Sequence, residues 1–140
     1  MAKWSTMKET ELAFLTGLFE GEGCASLCWV RPKGEKPYKQ PRLDVAMTDI
    51  EPLQALQATF GGSITLRKRQ QAHWKPIYRW GLQCLKAATV AMRLFPYMKS
   101  RRRKQALLDI LSHYLSMPDD KFKGALKRSD THWRNKACHE

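Results

Sequence analysis

The residue best placed to do chemistry is Glu22, in the stretch Leu15-Thr16-Gly17-Leu18-Phe19-Glu20-Gly21-Glu22-Gly23. Gly17 and Gly21 are four apart, so on a helix they share one face. Small residues at that spacing let two helix backbones approach closely. Glycine inside a helix costs roughly 1 kcal/mol relative to alanine, so Gly17 implies a use for the missing side chain. Glu22 is expected just past the helix end, between two glycines. Two such helices packed about a two-fold axis would bring two Glu22 carboxylates together. Paired carboxylates are costly unless a cation compensates them. Oxygen ligands suit magnesium, which can bridge to a phosphate and activate water. A plainer alternative stays open at this point. The glycines would then accommodate a helix end and a neighbouring strand, and Glu22 would be a surface glutamate. Against that, a carboxylate beside the negative end of a helix dipole is unfavourable.

The elements that must hold these residues follow from periodicity. Leu12, Leu15, Thr16 and Phe19 form a helical stripe over Met7 to Glu20, with Thr6 and Glu9 as a capping box. Cys24 to Val30 reads as a strand, and the proline-rich, basic stretch Arg31 to Arg42 as a loop. In the next strand Leu43, Val45 and Met47 alternate with Arg42, Asp44, Ala46 and Thr48. Thr48 or Asp49 can cap a second helix running to Phe60, stopped by Gly61-Gly62. Ser63 to Arg69 and Ile77 to Cys84 are two further strands. In the first, Ile64 and Leu66 point inward, with Thr65, Arg67 and Arg69 outward. In the second, Tyr78, Trp80 and Leu82 oppose Arg79 and Gln83. A third helix from Lys86 breaks at Pro96. Ser100 caps a fourth, with Leu107, Ile110, Leu111 and Tyr114 as its buried stripe.

The order is thus α-β-β-α-β-β-α-α, an α+β fold with an antiparallel, saddle-shaped sheet and helices on one face. The other face carries Ser26, Arg42, Asp44, Arg67, Arg69, Arg79 and Gln83, a surface suited to a DNA groove. Residues 1–117 make one domain. The basic stretch 118–140 is a tail, read as a possible DNA-contacting arm.

Charge agrees with a polyanion partner. The 140 residues carry a formal net charge of +12, and neutralising phosphates releases counterions. Between Glu51 and Asp109 there is no acidic residue, while twelve lysines and arginines fall there. Ordinary solvated faces mix both signs. Cys24, Cys28, Cys84 and Cys138 lack zinc-site spacing and imply no disulfide framework. His73, His113, His132 and His139 show no metal spacing either. No apolar run is long enough to span a bilayer, so no membrane partner is expected, and no small-molecule cofactor is.

The nine residues 15–23 resemble the LAGLIDADG signature, with Leu15, Gly17, Leu18 and Gly23 identical. Their place, between a helix and a strand in an α-β-β-α-β-β chain, strengthens the resemblance, which covers about Thr10 to Tyr114. It implies a site-specific homing endonuclease. Single-motif members are homodimers joined through the motif helices, here Leu15, Gly17, Leu18 and Gly21. The implied target is a long, near-palindromic DNA duplex, hydrolysed on both strands to leave short 3′ overhangs. Glu22 would hold the catalytic divalent metal, magnesium or manganese in its place, with the Gly21 carbonyl in its shell. Asp49 would position the attacking water, unless it is simply a helix cap. A basic group near Pro96 would stabilise the transition state; Arg101 and Arg102 are both candidates, with Lys99 an outsider. The resemblance also allows a non-cleaving regulator or an intron-splicing maturase on the same scaffold. An RNA-binding module fits the charge but not the motif. The expected location is with the target DNA: a bacterial or phage-infected cytoplasm, or an organelle.

Overall fold

The computed structural model describes residues 7–68, 71 and 73–116. Its elements are α1 (Glu9–Glu22), β1 (Gly23–Val30), β2 (Tyr38–Met47), α2 (Glu51–Phe60), β3 (Ser63–Arg67), β4 (Ile77–Gln83), α3 (Cys84–Leu94) and α4 (Arg101–Leu115), with a 3₁₀ turn at Phe95–Tyr97 before α4. The sheet is antiparallel in the order β1-β2-β4-β3. The second strands of the two α-β-β units are therefore the central pair, and the first strands are the edges.

The alternation read from the sequence holds at this centre. Leu43 pairs with Leu82 and Val45 with Trp80, and all four are buried. Helices close over this face. Phe19 of α1, Leu53 and Phe60 of α2, Val90 and Leu94 of α3, and Leu107 and Ile110 of α4 fill the core. The Trp80 indole N–H donates to the Gly61 carbonyl at 2.8 Å, which satisfies its one polar atom in the core. Gly61 and Gly62 both have positive φ (77° and 93°), a region glycine enters without strain.

Several boundaries differ from expectation. Helix α1 continues to Glu22, so this residue closes the last turn rather than following it. Lys8 occupies its N-cap without a side-chain cap, and Thr6 lies outside the described residues. Strand β2 starts at Tyr38, inside the segment expected as loop, with Pro41 opposite Leu27. Residues 38–41 lie beyond the end of β4, so proline's missing donor faces a strand with one neighbour there. Neither Thr48 nor Asp49 caps α2. Its N-cap is Ile50, and Asp49 is exposed. Leu66, expected inward, is 53% exposed because edge strand β3 outruns the helices. Cys84 begins α3 instead of ending β4, with φ of 59° at the switch. Ser100 does cap α4, accepting from the Arg103 N–H at 3.5 Å. Of that helix's expected stripe, Leu107, Ile110 and Tyr114 are buried and Leu111 is half-buried. Arg69 and the tail 118–140 lie outside the described residues.

Candidate active site and nucleic-acid interface

The stripe Leu12, Leu15, Thr16 and Phe19 turns α1 toward the core, and all four are buried. The Thr16 hydroxyl donates to the Leu12 carbonyl at 2.7 Å, so no polar group is stranded there. Leu15, expected at a helix–helix interface, is 2% exposed and belongs to its own chain's core. The outward face of α1 instead carries Phe14, Gly17, Leu18 and Gly21. Their spacing makes a second, shorter apolar stripe. Phe14 is 61% exposed, and nothing lies within 4 Å of where a Cβ on Gly17 or Gly21 would sit. The two glycines therefore accommodate nothing among the described residues. Gly23 is different. A Cβ there would lie 2.5 Å from both the ring and the carbonyl of Phe19, so its smallness serves the helix–strand junction.

Glu22 is exposed at the end of α1 and makes no hydrogen bond or ion pair among the described residues. Its surroundings are strongly structured. Glu20 Oε1 accepts from the backbone N–H groups of Lys99 (2.8 Å) and Ser100 (2.5 Å) at the start of α4. Those bonds, with the nearby charges of Lys99 and Arg103, hold the Glu20 carboxyl below its ordinary pKa. Arg103 donates from Nη1 to the Gly23 carbonyl, and its Nη2 lies 3.5 Å from the Gly21 carbonyl. A guanidinium thus meets carbonyls at the negative end of the α1 dipole. Arg101 and Arg102 are exposed on the first turn of α4 and make no such contact.

Arg103 was missed among the candidates, yet a signal for it existed. It shares a helical face with Leu107, Ile110 and Tyr114, all buried, which Arg101 and Arg102 do not. Asp49 lies two residues beyond Met47, at the end of β2 where Val45 pairs with Gly23. Glu22 and Asp49 therefore project from the same end of the sheet.

Strand register assembles the face opposite the core. Ser26, Arg42 and Gln83 form one row across β1, β2 and β4. Asp44 lies in the next row, and Ala46, Arg79 and Thr65 in the one beyond. Arg67 is exposed at the end of β3. Gln40, in the segment expected as loop, joins this face. Its amide donates to Cys84 Sγ (3.1 Å) and reaches Gln83 Oε1 (3.5 Å). Arg42 Nε lies 3.9 Å from Asp44 Oδ2, too far for a hydrogen bond. The buried Nε atoms of Arg42 and Arg79 have no hydrogen-bond partner among the described residues.

Among the described residues no three His, Cys, Asp or Glu side chains converge. One chain offers a divalent cation two oxygens at this point, the Glu22 carboxylate and the Gly21 carbonyl. Hard oxygen donors suit magnesium, whose remaining positions are filled by waters or phosphate oxygens. No helix among the described residues is long and apolar enough to cross a membrane.

No family model matches the sequence, and no curated protein does. Solved structures do resemble it. The homing endonuclease I-CvuI, in complex with its target in the presence of calcium, superposes with a TM-score of 0.62 at 22% identity, over 84% of this chain and 73% of that one. The archaeal intron-encoded homing endonuclease I-Vdi141I, complexed with DNA, gives 0.61 at 18%, over 87% and 79%. The intron-encoded homing endonuclease I-CeuI, also complexed with DNA, gives 0.60 at 15%, over 75% and 54%. At these identities the likeness is one of architecture, and it agrees with the motif on α1: the chain has the fold of the LAGLIDADG homing endonucleases.

Proposed function

We propose that the protein is a site-specific homing endonuclease that binds a long, near-palindromic DNA duplex as a homodimer and hydrolyses both strands with divalent metal. The observation that carries this reading is Glu22: an exposed carboxylate, without a partner among the described residues, at the end of a helix whose outward face is apolar and glycine-bearing. It stands on a fold whose solved relatives include I-CvuI bound to DNA in the presence of magnesium or calcium.

In the dimer the stripes of Phe14, Gly17, Leu18 and Gly21 meet across the two-fold axis and bring both Glu22 carboxylates to the duplex. Each Glu22, with the Gly21 carbonyl, helps hold magnesium, for which manganese substitutes. A divalent cation held there would supply polarisation of the phosphate and a lowered pKa for the attacking water. Asp49 orients that water. Arg101 and Arg102 face the developing negative charge, and Lys99 grips a neighbouring phosphate. Ser26, Arg42, Asp44, Arg67, Arg79 and Gln83 read or hold the groove from the sheet, and Arg69, outside the described residues, is a further candidate contact. The nuclease domain is assigned to residues 1–117, and the basic sequence 118–140, outside the described residues, is a candidate for further DNA contact. The protein works wherever its target DNA resides.

The test is cleavage of a randomised duplex library with magnesium, which reports both activity and site. Glu22→Gln abolishes cleavage and leaves DNA binding largely intact. Undiminished cleavage by that variant removes Glu22 from the metal site. Duplex binding without cleavage under any divalent metal replaces the nuclease with a regulator.

A further inference from the structure

The end of α1 and the start of α4 are tied in both directions around Glu22. Glu20, two residues before it, accepts from the Lys99 and Ser100 N–H groups immediately before α4. Arg103, from α4, returns a guanidinium to the carbonyls of Gly23 and Gly21, the residues on either side. The N-terminus of α4 would ordinarily attract a phosphate. The Glu20 carboxylate takes the two amides just before that helix, at Lys99 and the N-cap Ser100, and so places a negative charge beside its first turn.

The arginine is held firmly enough to act as a strut. Its backbone N–H is bonded to Ser100, and its helical face continues into buried Leu107 and Ile110. Its planar fork reaches two carbonyls, where a lysine ammonium would reach one.

We infer that Glu20 and Arg103 are positioning residues, a two-way clamp that fixes the backbone from Gly21 to Gly23 and so aims the Glu22 carboxylate. The inference rests on the reading of Glu22 as the metal-binding acid. It separates Arg103 from Arg101 and Arg102, whose exposed side chains lie outside the clamp.

The experiment uses the full chain with Arg103→Ala, Arg103→Lys and Glu20→Ala. Three quantities are read: amide hydrogen exchange at Glu22 and Gly23, the magnesium midpoint for single-turnover cleavage, and duplex affinity without metal. Loss of a charge-assisted bond speeds exchange at Glu22 and Gly23 by about tenfold or more in both alanine variants. The magnesium midpoint rises by about 10- to 100-fold, the usual effect of removing a group that orients a ligand. Metal-free duplex affinity stays near that of the parent, and Arg103→Lys recovers part of both losses. Unchanged exchange at Glu22 and Gly23 in both alanine variants overturns the clamp, as does a loss confined to metal-free duplex affinity. A parent protein that shows the exchange pattern but cuts no duplex keeps the clamp and sinks the nuclease. If Arg103→Ala unfolds, seen as fast exchange throughout α3, the comparison of Arg103→Lys with the parent decides.

Discussion

Gly17→Ala separates the two uses a helix glycine can have. Gly17 lies inside α1, and nothing in its own chain comes within 4 Å of the added methyl. Within one protomer the change therefore meets no clash and gains helix propensity, about 1 kcal/mol. For a domain of this size that raises the unfolding midpoint by roughly 3–5 °C. In a dimer joined along α1 the sign reverses. Two-fold symmetry puts the new methyl into the contact from both copies. Overpacking a close helix contact costs about 1–3 kcal/mol, so the dimer dissociation constant rises by about 5- to 150-fold. Sedimentation equilibrium, with and without duplex, measures the second effect. Thermal unfolding across protein concentration measures the first, because association makes the midpoint concentration-dependent. The variant is expected to gain in protomer stability and lose in association. A variant that dimerises as tightly as the parent shows that the glycine face is not the interface, and the paired-carboxylate site fails with it.

Gly23→Ala should act in the opposite sense on the protomer, since its methyl would sit 2.5 Å from the Phe19 ring and carbonyl. A loss of about 1–3 kcal/mol in chemical denaturation is expected, independent of protein concentration. Arg79→Ala should relax base preference at one position by about 1–3 kcal/mol in competition binding if the guanidinium reads a guanine. A uniform loss over all sequences, with a shallower salt dependence, would make it a phosphate contact. His113 is held below its ordinary value of 6.5, first by burial and then by the Lys39 charge. The unfolded chain therefore binds the proton more readily, and this group's share of stability is lost as pH falls below 6.5. His113→Gln should flatten the fall in thermal midpoint over that range, and an unaltered slope would remove His113 from it.

The sequence alone determined the element order, the core stripe of α1, the alternation in β2 and β4, and Glu22 as the residue to watch. Each is written in local periodicity or in an unusual glycine, so one stretch of chain suffices to read it. Contacts between distant stretches were settled only by the tertiary structure. The start of β2 at Tyr38 was hidden because Pro41 looks like a loop signal until β4 is seen to end short of it. Leu15 reads both as part of the core stripe and as an interface residue, and only packing shows it buried in its own chain's core while Phe14 faces out. The same holds in the run Arg101-Arg102-Arg103. Three identical side chains acquire different surroundings because α4 rotates one of them onto the end of α1, where the Gly21 and Gly23 carbonyls need a donor.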